Sequence, residues 1–328
     1  METHDEAKLC FPQINTSCIK HTRPQSESML IYVLLSFVSL LTVILNLLVI
    51  ISISHFRHRQ MLHTPTNLLL LSLAVSDFLV GLFVMPFQIL LIEPCWFLGD
   101  LVCVLFYFFA FVTTNASVVN MVLISVDRYV AICDPLRYST KITQRGVQIC
   151  VLLCWIYSVF YSFQILSDNL KQPGRYNSCY GQCVINVIVA VDLVLCFILP
   201  VSTIVVLYLR VFVVAVSQAR AMRSHITAVK LQSSVTVTVK KSELKAARTL
   251  GVVVAVFIVS YCPYYLVSLS VSELLIGSSN IFIIFLLLSN SCLNPVIYAY
   301  FYTWFRKSVK LVVTLKILQP QSCEARLL

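Results

Sequence analysis

The chain has 328 residues, of which 59% are hydrophobic and only 12% charged, with a formal net charge of +10. That balance excludes a single water-soluble domain, because too little polar surface is available to cover so much apolar material. The positive charge is spread over four short segments, which makes it a signal of membrane topology and argues against a nucleic-acid surface.

Residues 1–28 are polar, and they lack the charged leader, short apolar core and small-residue cleavage site of a removable signal peptide. The first apolar stretch is therefore expected to act as the signal itself. Asn15-Thr16-Ser17 is a glycosylation sequon in this leading segment, whereas Asn115-Ala116-Ser117 has the same pattern inside an apolar stretch, where it is not modified. Seven apolar stretches follow, at 29–54, 65–92, 101–126, 147–166, 185–209, 249–272 and 277–301, each near the length that a tilted transmembrane helix needs. Arg57 and Arg59 follow the first, Arg137, Lys141 and Arg145 the third, a run from Arg210 to Arg248 the fifth, and Arg306, Lys307 and Lys310 the seventh. Those segments are expected to be cytoplasmic and the N-terminus extracellular. No repeat of fixed period or low-complexity tract divides the chain, so it reads as one all-α membrane domain. Its parts are an outer segment at 1–28, a seven-helix bundle at 29–302, and an amphipathic eighth helix with a tail at 303–328.

In chain order, the first span carries Asn46 as its one strongly polar interior residue, and the second carries Asp77. A carboxylate buried in a bundle costs several kcal/mol unless it is paired, protonated or bound to a cation. Ser117 on the third span and Asn290, Ser291 and Asn294 on the seventh are the candidate partners, suited to a hard cation such as sodium or to a water cluster. The third span has no charge between Leu101 and Val126, carries the small or mildly polar Ala110, Thr113, Thr114 and Ser117, and ends at the dyad Asp127-Arg128. Cys103 near its other end, Cys179 and Cys183 in the loop after the fourth span, and Cys10 and Cys18 in the leading segment allow two disulfides in an oxidising compartment. Spacing leaves their pairing open. Cys323 in the tail is either a palmitoylation site or an unmodified thiol.

The fifth span carries Asp192, eight residues before Pro200 and so about 12 Å from it along a helix. Apart from the dyad, Asp77 and Asp192 are the acids within the spans, and no span offers a Lys or Arg to neutralise them. A lone carboxylate in the outer third of a bundle is a cation site by default. On the sixth span Tyr261, Tyr264 and Tyr265 share a face beside the bend expected at Pro263, and aromatic faces attract organic cations by about 0.5–2 kcal/mol each. The seventh span is interrupted by Asn294-Pro295, and beyond it Trp304, Phe305, Val309, Leu311 and Val312 alternate with basic residues as in a helix lying on a membrane surface. Phosphate-binding glycine loops, zinc-type histidine spacings and nucleophile motifs are absent from the sequence, which argues against an enzyme. Seven spans without paired broken helices argue against a transporter.

Asn46, Asp77, Asp127-Arg128-Tyr129, Trp155, Pro200, Tyr208, Pro263 and Asn294-Pro295-Val296-Ile297-Tyr298 resemble the marker residues of rhodopsin-like G-protein-coupled receptors, one set in every span and in order. Within that class the stretch from Asn290 to Phe305 resembles the fingerprint of the trace amine-associated receptors, supported by His63-Thr-Pro-Thr-Asn67, Cys95-Trp96, Asp134-Pro-Leu-Arg-Tyr138 and Cys179-Tyr-Gly-Gln-Cys183. The resemblance implies disulfides Cys103–Cys183 and Cys18–Cys179. It also implies a resting clasp of Arg128 by Asp127 and Glu243, released toward a G protein as Tyr208 and Tyr298 rearrange. Its further implications are a small amine ligand, a stimulatory heterotrimeric G protein, lipid contact at the plasma membrane, including that of olfactory sensory cilia, and no cofactor beyond a structural sodium ion.

Two departures set this chain apart. The amine-anchoring aspartate of such receptors lies on the third span eighteen residues before the Arg of the triplet, where this chain has Ala110, and the tryptophan two residues before the sixth-span proline is Tyr261. Leu288 stands where a tyrosine often supports that missing aspartate. Asp192 resembles the fifth-span aspartate of a teleost-type branch and is expected to hold the ammonium group instead. Ala110, Thr113, Thr114, Cys196, Tyr261, Tyr264, Tyr265 and Leu288 are expected around the ligand. One outer intramembrane acid favours a monoamine over a diamine, whose second ammonium would need Glu93, Asp168 or Glu273 at the rim. A receptor for non-amine ligands, with Asp192 purely structural, is the alternative.

Overall fold

The computed structural model describes residues 9–20, 24–56, 64–228, 251–252, 254–268, 278–301 and 303–314. Among these residues six helices are long and apolar enough to cross a membrane, and a shorter apolar helix stands between the last two of them. We label them α1 (Gln25–Phe56), α2 (Pro65–Ile92), α3 (Asp100–Cys133), α4 (Gln144–Ile165), α5, α6 (Val254–Ser268) and α7 (Ser278–Phe301), with α8 (Thr303–Val313) following. Helix α5 begins as Val189–Asp192, passes through a π turn at Leu193–Ile198 and continues as Leu199–Ala228.

Helix α1 turns its polar residues inward and an apolar stripe outward, the reverse of a soluble helix. On α1 the outward positions are Leu30, Val33, Phe37, Leu40, Ile44 and Leu47, and the buried positions are Leu35, Ser39, Thr42, Asn46, Val49 and Ile53. Both sets step by three and four residues, the spacing of one helix face. Lipid solvates the first set as well as a protein core would, so packing and hydrogen bonds, not apolar burial, hold the second set together. At Gly81 on α2 an added Cβ would lie 3.0 Å from Thr42, so the two helices approach at that point, and Ser39 donates to the Gly81 carbonyl at 2.8 Å. Trp155 of α4 reaches across to Ser72 of α2 with Nε1 to Oγ at 3.1 Å.

Helix starts follow local chemistry. Thr64 accepts from the Asn67 amide with Pro65 in the first turn of α2, and Thr143 accepts from the Gly146 amide at the start of α4. Two π turns interrupt the bundle, Val80–Val84 in α2 and Leu193–Ile198 in α5, each ending within two residues of a proline, Pro86 and Pro200. A proline lacks the donor for the preceding turn and its ring crowds that carbonyl, so the backbone widens there.

Several boundaries differ from the sequence reading; α5, for example, runs on to Ala228 and not to 209, and two others have a local cause. Helix α3 does not stop at Asp127-Arg128 but runs on to Cys133, because Val130 and Ile132 keep burying apolar surface past the dyad. Helix α5 starts at Val189 and not at 185, since the Asn186 backbone is engaged by the Asn169 side chain at 2.7 and 3.0 Å and is held out of the helix.

One end of the bundle is stapled by three disulfides, Cys10–Cys95, Cys18–Cys179 and Cys103–Cys183. The last two are the pairs that the resemblance implied. The first is additional, so the two-disulfide expectation is one short: Cys95 entered it only through the Cys95-Trp96 pair of the resemblance. Residues 9–19 close on themselves through Cys10 N to Cys18 O at 2.8 Å and lean on the loop after α4 through the Ser17–Tyr180 bridge and the Phe11–Tyr180 ring contact at 5.1 Å. Gly181, at φ +97°, takes a backbone shape open to glycine, and a Cβ there would meet the Phe11 ring at 2.8 Å. Asn15 lies exposed at the tip of this fold, accessible to a glycan.

Candidate functional site

Asp192 lies in the first turn of α5 and is only 7% exposed, so its carboxylate points into the bundle and not at lipid. Its two oxygens are held separately. Oδ1 accepts from the Tyr161 hydroxyl of α4 at 2.8 Å, and Oδ2 accepts from the Tyr265 hydroxyl of α6 at 3.2 Å. Both donors are neutral hydroxyls, so part of the carboxyl group's hydrogen-bonding capacity is met by groups that carry no positive charge. One turn deeper on the same face of α5, the Cys196 thiol donates to Asn115 Oδ1 of α3 at 3.1 Å and closes the floor of the niche.

Aromatic rings flank this carboxylate on both sides. Tyr157 and Tyr161 pair at 6.0 Å on the α4 side, and Phe197 stacks on Tyr265 at 4.6 Å with Tyr264 at 5.2 Å on the α6 side. Tyr261 is buried one turn deeper and packs against Phe257 in a tilted pair with ring centroids 4.3 Å apart. A carboxylate among aromatic rings is the combination of groups that attracts organic cations, by Coulombic and cation–π terms.

The remaining expected ligand residues fall elsewhere. Ala110 and Leu288 pack in a separate apolar cluster with Val80, Val84, Met85 and Phe106, formed by α2, α3 and α7. Thr113 is buried with its hydroxyl donating to the Phe109 and Ala110 carbonyls of its own helix, at 2.9 and 3.1 Å, and Thr114 is half-buried. The set thus divides into a charged aromatic niche and an apolar wall. Tyr161, Tyr157, Phe197 and Asn115 were missed. The signal for Tyr161 was its spacing from Cys154 and Ser158, which puts it on the one buried stripe of α4, but a lone tyrosine in an apolar span reads as packing.

The second buried acid, Asp77, is fully enclosed. It accepts from Ser117 at 3.2 Å, Ser291 at 2.9 Å and Asn294 Nδ2 at 2.8 Å, while Ser117 also bonds Ser76 at 2.9 Å. Asn290 does not join the carboxylate. Its Oδ1 is buried without a hydrogen-bond partner, as are Oδ1 of Asn46 and Asn294. Orphaned carbonyl oxygens beside a carboxylate and hydroxyls form a ligand set suited to sodium or water.

At the end of the bundle opposite the disulfides, Asp127 is buried and takes hydrogen bonds from Arg128 Nε at 2.9 Å, Thr66 at 2.8 Å and Tyr138 at 2.8 Å. Arg128 also contacts Thr66 directly. Thr66 and Tyr138 belong to motifs that carried the resemblance, and their geometric role emerges only here. Burial raises the Tyr138 phenol above its ordinary value, so it stays a donor to Asp127. Tyr129 is half-buried, Tyr208 packs against the core, Tyr298 is buried, and Pro295 lies within α7. Glu243, the expected second clasp of Arg128, lies outside the described residues, as do Glu273, Cys323 and the side chain of Trp304. In α8 Phe305 is buried while Arg306 is exposed and donates to the Ala299 carbonyl at 3.1 Å, as an amphipathic surface helix would arrange them.

Comparison with known proteins places this geometry in context. The family model described as seven transmembrane receptor (rhodopsin family) matches residues 45–298. Trace amine-associated receptor 13c of Danio rerio is 38% identical over 99% of this chain and 98% of its own length. Trace amine-associated receptor 9 of Homo sapiens is 38% identical over 98% of this chain and 95% of its own length, and receptor 8c of Rattus norvegicus 38% over 96% and 95%.

Proposed function

The chain belongs to the trace amine-associated receptors of the rhodopsin family of seven-transmembrane receptors, not to the enzymes, and from that premise we propose that it is an amine receptor whose ligand ammonium is held by Asp192 on α5. The observation that carries this reading is the Asp192 carboxylate itself, buried, faced by two neutral phenols and bracketed by rings, in a chain whose third helix offers only Ala110. Ammonium binding would supply the missing positive charge. The apolar cluster of Ala110, Leu288 and Phe106 is the surface for the ligand's hydrocarbon tail, so the ligand lies across the bundle with its charge toward α5.

Occupancy is relayed to the opposite end, where release of Arg128 from Asp127 and Thr66 opens a surface for a stimulatory G protein. Asp77, Ser117, Ser291 and the amide oxygens around them hold a sodium ion in the resting state, and no other cofactor enters the scheme. The disulfide-bearing end with Asn15 faces the cell exterior, an oxidising space, and the receptor resides in the plasma membrane, including that of sensory cilia. Residues 1–28 form the outer segment, 29–302 the bundle and 303–328 the surface helix with its tail.

The test is a panel of amines, carboxylic acids and alcohols applied to the cell-surface receptor and read by cyclic AMP, with Asp192→Ala in parallel. Amines alone should raise cyclic AMP, and the variant should lose the amine-evoked rise at equal surface expression. Unchanged potency in the variant would make Asp192 a structural carboxylate held by its tyrosines and leave the receptor to non-amine ligands.

A further inference from the structure

The two hydrogen bonds to Asp192 come from different helices and differ in length. Tyr161 on α4 donates at 2.8 Å and Tyr265 on α6 at 3.2 Å, so one carboxylate bridges three helices with a tighter and a looser arm. The looser arm leads to the helix with a proline two residues away, Pro263, where a backbone hydrogen bond is missing and bending is cheap. On the α5 side the same tyrosine stacks on Phe197 at 4.6 Å, within the π turn Leu193–Ile198 that begins directly after Asp192. Both helices that meet at this bond therefore have a backbone irregularity beside it.

We infer that the Tyr265–Asp192 hydrogen bond is a clamp between α5 and α6 in the resting receptor, and that a ligand N–H takes its place on Oδ2 and frees α6 to move. The inference rests on the amine reading of Asp192 and extends it to how binding is converted into motion. An ammonium adds full opposite-charge attraction to its hydrogen bond with the carboxylate, which a phenol does not, so the incoming ammonium outcompetes the longer of the two phenol bonds first. The displaced Tyr265 hydroxyl is then a buried donor without an acceptor, a state relieved only if α6 shifts. Tyr161, on the shorter bond, stays and keeps the carboxylate aimed. The clamp also defines the agonist class. Protonated primary, secondary and tertiary amines bring the N–H that the exchange needs, whereas a quaternary ammonium brings charge for the ring faces but no donor, so it occupies the niche without releasing Tyr265.

The experiment measures ligand-free cyclic AMP at matched surface expression, a readout that needs no amine. Tyr265→Phe keeps the ring and its stacking and should raise the ligand-free signal about five-fold, the factor that one ordinary hydrogen bond is worth, with Tyr161→Phe raising it less. Asp192→Asn retains an acceptor for the phenol and should signal less without ligand than Asp192→Ala. An N-trimethylated analogue of an active amine should block that amine without activating. Wild-type ligand-free signal and wild-type maximal response in Tyr265→Phe, or equal ligand-free signals in the two Asp192 variants, would overturn the clamp. Amine potency surviving in Asp192→Ala would overturn the amine reading, while the ligand-free signals would still decide the clamp.

Discussion

Asp77 and Asp192 pose the same problem, a carboxylate inside a membrane bundle, and the chain solves it twice with different materials. Around Asp77 the donors are short hydroxyls and an amide from α3 and α7, and the nearby orphaned groups are amide oxygens. Around Asp192 the donors are phenols from α4 and α6, and the neighbours are ring faces. The first niche is rich in acceptors and fits a small, hard cation; the second offers one charge and π surfaces and fits an organic one. Position reinforces the contrast. Asp77 is mid-helix in α2, whereas Asp192 is in the first turn of α5, at the positive end of that helix's dipole. Two acids that look alike as letters are thus given different surroundings by the helices that pack on them.

The sharpest way to break this comparison is to remove each acid in turn. Asp192→Ala should weaken the amine response by about 100-fold or more, since loss of one partner of a buried ion pair is worth roughly 3–5 kcal/mol, and Asp192→Glu should retain part of it. Dose–response curves for cyclic AMP at matched surface expression measure both. If Asp77→Ala weakened amine binding equally, the two niches would not be functionally distinct.

The next effect is ionic. Replacing external sodium by a bulky organic cation should raise agonist affinity several-fold, in the range of ordinary coupling between sites, and Asp77→Asn should flatten that dependence while labelled amine still binds. Sodium dependence persisting in the variant would remove the ion from Asp77. Below that, Tyr161→Phe should shift amine potency about five-fold, the consequence of one lost hydrogen bond to the anchor, with Ser291→Ala leaving potency nearly unchanged. The smallest effect belongs to the floor of the niche. Asn115→Ala should alter amine potency by less than about three-fold, because the Cys196 thiol it receives is a weak donor and the ligand's charge lies a turn above.

The separate outer and inner ends of the molecule differ in how they were legible. The resemblance implied Cys18–Cys179 and Cys103–Cys183 correctly, but Cys10–Cys95 had no counterpart in that reading, since it depends on how residues 9–19 fold back over the outer end. Likewise the dyad Asp127-Arg128 was visible as a charge step at the end of an apolar run, while its partners Thr66 and Tyr138, 61 and 11 residues distant from Asp127, were not.

What the sequence determined by itself was the number of the spans and the oddity of Asp192. Those follow from one-dimensional physics: apolar length against bilayer thickness and the cost of an unneutralised charge. What only the tertiary structure decided was which groups face each acid. The expected set around Asp192 divided into a polar niche and the Ala110–Leu288 wall, and Tyr161 replaced Thr113 as a contact, because helix rotation and packing bring together residues from four helices that share no spacing in the chain.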